Sequence, residues 1–126
     1  MARKIIRTAE APAPIGPYNQ AILTNGTLYV SGQIAIEVES GELLNDNITQ
    51  ETHQVMKNLE AILRAADMQF SDVIKCSIFI RDMGQFATIN EAYGQYFSVD
   101  PPARETVEVS RLPKDVSVEI SCIAVK

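Results

Sequence analysis

Few residues in this 126-residue chain are of types that do chemistry. It has one histidine, His53, and two cysteines, Cys76 and Cys122, far apart in the sequence. Metal sites draw ligands at short, characteristic spacings, so this set predicts no metal. A Ser-His-Asp or Cys-His arrangement has only His53 to build on; it has no evident partner and reads as a surface or border histidine. There is no phosphate loop and no Gly-x-Gly-x-x-Gly, and no organic cofactor is expected. Arginine and carboxylate chemistry remains. Arg104 follows Pro101-Pro102-Ala103 at the mouth of an expected strand, so its guanidinium has a defined origin. A planar fork of donors can hold a substrate carboxylate through two parallel hydrogen bonds. Glu119 falls on the next expected strand, with the parity of Ile123 and Val125. A partly desolvated carboxylate there could hold a proton or orient a water. Taken alone, the two residues also read as a structural Arg–Glu pair, and that is the plainer reading.

Composition bounds the partners. Hydrophobic residues are 46% and charged residues 21%, ordinary values for one soluble globular domain over 1–126. A formal charge of −5 argues against broad binding to nucleic acid or anionic lipid, which needs a basic face. Arg3, Lys4 and Arg7 are followed by Glu10, Pro12 and Pro14, which make no signal-peptide apolar region, and no run is long enough to span a membrane. Two cysteines are too few for a secreted disulfide framework. The expected compartment is the cytoplasm.

The elements that must position Arg104 and Glu119 follow from patterning. Lys4 to Arg7 reads as a short strand. Pro12, Pro14, Gly16 and Pro17 forbid helix or central strand over 11–18. Asn25-Gly26 between two apolar runs, 20–24 and 27–31, predicts a hairpin with a type I′ turn. Asn47 reads as an N-cap, with Gln50 three residues on. Val55, Met56, Leu59, Ile62, Leu63 and Ala66 then form one stripe of a five-turn helix, with Glu51, Lys57, Glu60 and Arg64 on its other face. In a strand over 72–81, Ile74, Cys76, Ile78 and Ile80 share one side. A second helix is expected from Asp82 toward Phe97, with Phe86, Ile89, Tyr93, Tyr96 and Phe97 as its stripe. Strands over 105–110 and 117–125 close the chain.

Two amphipathic helices can cover one face of a mixed sheet, which predicts an α+β two-layer sandwich. Neither side of the last strand is wholly polar: Val118, Ile120, Cys122 and Ala124 point one way, Glu119, Ser121, Ile123 and Val125 the other. With no third helix available, the second cover is expected to be another copy of the chain, with a cleft between subunits.

Gly16-Pro17-Tyr18-Asn19-Gln20-Ala21, Val30-Ser31-Gly32-Gln33-Ile34, the stretch from Pro101 to Val109, Leu112-Pro113-Lys114-Asp115 and Val118-Glu119-Ile120 form an ordered series. Over essentially its whole length the chain resembles the RidA (YjgF) family of reactive-intermediate deaminases. The resemblance implies a cytosolic homotrimer with a chorismate-mutase-like α+β fold and active sites between subunits. It implies hydrolysis of 2-imino acids, such as 2-iminobutanoate and 2-iminopropanoate, to 2-keto acids and ammonia without metal or organic cofactor. Carried onto this chain, it makes Arg104 the grip on the substrate carboxylate and Glu119 the group that positions the attacking water. Tyr18, Ser31, Gly32, Phe86 and Asn90 match positions lining the cleft, and Tyr18 is a candidate aid to proton placement. Where some members carry a cysteine two residues after the arginine, this chain has Thr106, whose hydroxyl and amide can still bind a carboxylate.

Two other functions compete. One is a non-catalytic module that binds a keto acid or amino acid in the same cleft. The other is an RNA-cleaving translation inhibitor, against which the charge of −5 argues.

Overall fold

Asn25 and Gly26 carry φ of 52° and 76°, the two positive values that a type I′ turn requires. That turn joins the first two long strands of a six-stranded mixed sheet in the computed structural model, which describes residues 2–126. The elements are β1 (Lys4–Ile6), β2 (Ala21–Thr24), β3 (Thr27–Gln33), α1 (Ile48–Ala65), β4 (Val73–Ile80), α2 (Phe86–Gly94), β5 (Ala103–Glu108) and β6 (Val118–Val125). The strand order is β1-β2-β3-β6-β4-β5. Only the β4–β5 pair is parallel, with α2 as its crossover. Both helices pack on one face of the sheet, giving the expected α+β architecture.

One cross-sheet row explains how this layer is held. Ile6, Ala21, Val30, Cys122, Cys76 and Arg104 are successive neighbours across all six strands. Directly opposed residues on neighbouring strands share a face. The first five are buried beneath the helices; Arg104, on the edge strand, emerges from them.

Asn47 caps α1 as expected, its Oδ1 accepting the Gln50 N–H at 2.8 Å. Val55, Met56, Leu59, Ile62 and Leu63 are buried and Ala66 packs partly against them. Glu51 departs from expectation. It lies in the core at 2% exposure, and its Oε2 accepts the Ser117 and Val118 N–H groups at 2.7 and 3.2 Å. The start of β6 carries two amide donors that its sheet neighbours leave free, and a carboxylate in the first turn of α1 meets them. Ile74 is a second correction. A register shift between Val73 and Lys75 inserts one residue, so Val73 is buried and Ile74 is half-exposed. The second helix is also shorter than expected. Asp82 Oδ1 caps a 3-10 turn over Met83–Gln85 at 2.8 Å, and α2 proper starts only at Phe86.

The other sheet face is covered in part by the chain itself. Ile34, Leu112 and Val116 form a small second core with Ile36, Leu43, Phe79 and Val109. Beyond it, Ile5, Tyr29 and Val125 stay exposed. A second copy is therefore not needed over the whole of this face. Among the described residues, no helix is long and apolar enough to cross a membrane.

Candidate active site

Arg104 and Glu119 lie on opposite faces of the sheet. Arg104 shares the row of Cys76, on the helix side. Glu119 shares the row of Phe79, and on β5 that row reaches Val107, three residues from Arg104 and on the other side. The Arg–Glu pair within one chain is excluded by this register. The sequence-predicted residues gather into two groups instead.

The first group surrounds Glu119. β3 is interrupted between Val30 and Gln33, where Ser31 and Gly32 together oppose one residue of β6. Such a bulge re-aims the side chains beside it. Gly32 is required for contact reasons: a Cβ there would stand 2.9 Å from Glu119 Cδ. Ser31 Oγ donates to the Asn19 carbonyl at 2.6 Å, and the Ser31 N–H donates to the Gln20 carbonyl at 2.9 Å. The Ser31 hydroxyl proton is thus used to hold the proline-rich loop, leaving its oxygen to accept from a ligand.

Gln20, which the sequence reading passed over, organises that loop. Its buried amide receives the Thr8 N–H at 2.7 Å and donates to the carbonyls of Thr8, Ala11 and Pro12. The loop then turns Tyr18 over the site, the phenol oxygen accepting the Ile15 N–H at 3.3 Å. Together these elements enclose a cavity of about 440 Å³ lined by Glu119, Ser31, Gly32 and Tyr18, with Ile15 and Ile34 as apolar wall. Burial against this wall raises the Glu119 pKa above the ordinary carboxylate range.

The second group surrounds Arg104. Its Nη1 donates to Asn90 Oδ1 at 2.6 Å. Its guanidinium carbon lies 5.6 Å from the centre of the Phe86 ring and 5.2 Å from that of Tyr93, within cation–π range of both. Phe86, Asn90 and Tyr93 are spaced four and three along α2, so they stand on one helix face. Arg104 forms no ion pair among the described residues. Thr106, two residues on and on the same side, has a buried Oγ1 with no hydrogen-bond partner among them. Tyr93 was legible only as a stripe residue, although its spacing from Phe86 and Asn90 was a usable signal.

The other reactive residue types are engaged elsewhere. His53 Nδ1 lies 2.8 Å from the Tyr96 hydroxyl, so it has a partner, but one that links α1 to the end of α2. Cys76 and Cys122 are buried, and burial raises both thiol pKa values. Among the described residues no cluster of three His, Cys, Asp or Glu could hold a metal ion.

The arrangement offers an anion grip on one face and a protonatable carboxylate in a cavity on the other. Comparison with known proteins identifies the family of the chain. The family model described as Endoribonuclease L-PSP matches residues 8–126. The chain belongs to that family, which is the RidA (YjgF) family. A RutC family protein of Synechocystis is 50% identical over 127 residues, covering 99% of this chain and 98% of that protein. The human 2-iminobutanoate/2-iminopropanoate deaminase is 41% identical over 126 residues, covering 100% of this chain and 92% of the human protein. Among RidA-family structures, Escherichia coli TdcF with bound serine superposes with a TM-score of 0.94 at 41% identity, over 98% of each chain.

Proposed function

We propose that this protein hydrolyses 2-imino acids to 2-keto acids and ammonia, as a cytoplasmic homotrimer of single-domain chains. The observation that carries the reading is the division of the site: a guanidinium with no ion-pair partner among the described residues on one face and a desolvated carboxylate on the other. One small substrate cannot span a sheet, so the Arg104 edge of one copy must meet the Glu119 cavity of the next. Such heterologous contacts can close into a ring, which the family resemblance makes a trimer, each copy contributing both halves to different sites. The human relative's name supports the substrate class.

Arg104 holds the substrate carboxylate, with Thr106 as a further donor. Asn90 and Phe86 hold Arg104 in place. The imine carbon then faces Glu119 across the interface. Glu119 takes a proton from a water as the water oxygen bonds to C2 and the C=N π pair moves to nitrogen. The protonated carboxyl returns that proton to nitrogen. The carboxylate then takes the hydroxyl proton of the carbinolamine and delivers it to nitrogen as C=O forms and the C–N bond breaks, so that imino acid plus water becomes keto acid plus ammonia. A carboxyl with a raised pKa suits both transfers. Ser31 and Tyr18 line the water's approach, and Tyr18 is the candidate for assisting proton placement.

The test is ammonia release from 2-iminobutanoate generated in situ by a threonine dehydratase. Wild type should accelerate release over the spontaneous rate, and Arg104→Ala should remove the acceleration while the trimer persists. No acceleration by a folded trimer would overturn the reading. The serine-bound relative favours a second reading, a binding module that uses the same cleft without turnover. Ligand binding with no ammonia release would select it.

A further inference from the structure

We propose that Tyr93 is a positioning residue for the carboxylate grip: its ring is the rigid floor that fixes the Arg104 guanidinium. This deepens the reading above and rests on Arg104 acting as the carboxylate anchor.

An arginine on an exposed edge strand has a long, mobile side chain, and mobility weakens a two-point grip because it must be lost on binding. Three contacts from α2 oppose that mobility here. Asn90 fixes one nitrogen. Phe86 and Tyr93 present ring faces, and Tyr93 is the nearer at 5.2 Å. The two rings differ in support. Phe86 is half-buried, whereas Tyr93 is 5% exposed. Behind Tyr93 stands Phe97, with ring centres 4.9 Å apart. The Tyr93 hydroxyl is buried, and its polar neighbour is the Cys76 thiol, itself a weak hydrogen-bonding group. Cys76 is the cross-strand neighbour of Arg104 itself. The ring is therefore braced on one side by Phe97, just beyond α2, and on the other by β4, the strand paired with the one that carries Arg104. The guanidinium lies over the Tyr93 ring while the hydroxyl faces a buried thiol, so the ring and not the hydroxyl is what Tyr93 offers Arg104.

This separates ring from hydroxyl in a measurable way. Binding of 2-oxobutanoate, the carboxylate product of the proposed reaction, is titrated with wild type, Tyr93→Phe, Tyr93→Leu, Arg104→Ala and the Tyr93→Leu/Arg104→Ala double variant. Tyr93→Phe should bind within about twofold of wild type. Tyr93→Leu should weaken binding about 3- to 30-fold, the range of a cation–π contact from exposed to desolvated. On the Arg104→Ala background it should add nothing, because the effect runs through Arg104. Equal loss on both backgrounds, or no loss, overturns the proposal. If Tyr93→Leu fails to fold, the arginine side-chain NMR spectrum decides. The Arg104 Hε of wild type and Tyr93→Phe should be ring-current shifted upfield, and an unshifted signal overturns the proposal. Neither readout needs turnover. A protein that binds 2-oxobutanoate in this pattern but releases no ammonia would keep Tyr93 in its role and remove the deaminase reading.

Discussion

The two half-sites are built in opposite ways. The Glu119 half is concave and irregular: a bulged strand, a proline-rich loop and a small second core enclose it. The Arg104 half is a sheet edge crossed by one helix face, built from regular elements. The contrast matches the role proposed for each group. A proton-transfer carboxylate benefits from desolvation, which brings its pKa toward working pH. An anion grip needs reach and an undiminished charge, and an exposed edge supplies both. In the proposed reaction each half needs the other, and neither face of one chain supplies both.

Expected outcomes follow from breaking the halves one at a time. Glu119→Gln removes the proton acceptor but keeps the shape of the cavity. Turnover should fall about 100- to 10,000-fold, the usual contribution of a general base, while 2-oxobutanoate binding persists. In wild type, the raised pKa of Glu119 means that its base form is lost as pH falls through that raised value. The acid limb of the rate profile should therefore lie above the ordinary carboxylate range, and it should vanish in any residual Glu119→Gln activity. Gly32→Ala places a methyl against Glu119 and must displace the carboxylate. A displacement near 1 Å should cost up to about 100-fold in kcat/KM, with a circular dichroism spectrum like that of wild type.

Mixing the halves gives a sharper test. Arg104→Ala and Glu119→Gln subunits, each strongly impaired alone, should regain about one quarter of wild-type activity after random exchange at equal amounts, since each interface draws both intact halves with a chance of about one half times one half. No recovery despite exchange, followed by mass spectrometry, would place both residues in one chain's site.

The smallest effect concerns the frame that holds β6. Burial raises the Glu51 pKa, although the Ser117 and Val118 amides pull it back toward the charged form. A folded-state pKa above the unfolded value contributes stability below the unfolded pKa, and that contribution is lost as pH rises through the folded one. Glu51→Gln keeps an acceptor oxygen and removes the charge. Its melting temperature should exceed that of wild type by about 2–5 °C at pH 8 and converge with it toward pH 4.

Much of the frame was legible because local physics and periodicity specify it. Asn25-Gly26 allows few turns other than the one formed, and Asn47 with the Val55-to-Leu63 stripe marks α1 nearly to the residue. Ile74 and Glu51 were misread for a shared reason. A bulge and a buried acceptor answer to partners distant in sequence, Ala124 and Ser117, which no local window contains. Gln20 escaped notice in the same way, because a glutamine organises a loop only once four backbone groups converge on it.

For the site, the residue types and the parity of Glu119 were fixed by sequence alone, because a strand alternates its side chains whatever it pairs with. So was the chance for Phe86, Asn90 and Tyr93 to act together, through helical spacing. Tertiary structure decided the rest. The parallel register of β4 and β5 turned Arg104 to the helix side, and the antiparallel register of β4 and β6 turned Glu119 away from it. Strand pairing is a contact between distant segments, and shifting it by one residue exchanges the faces. Which face each residue takes, and hence the proposal that one substrate meets the two on different copies, is written only in that pairing.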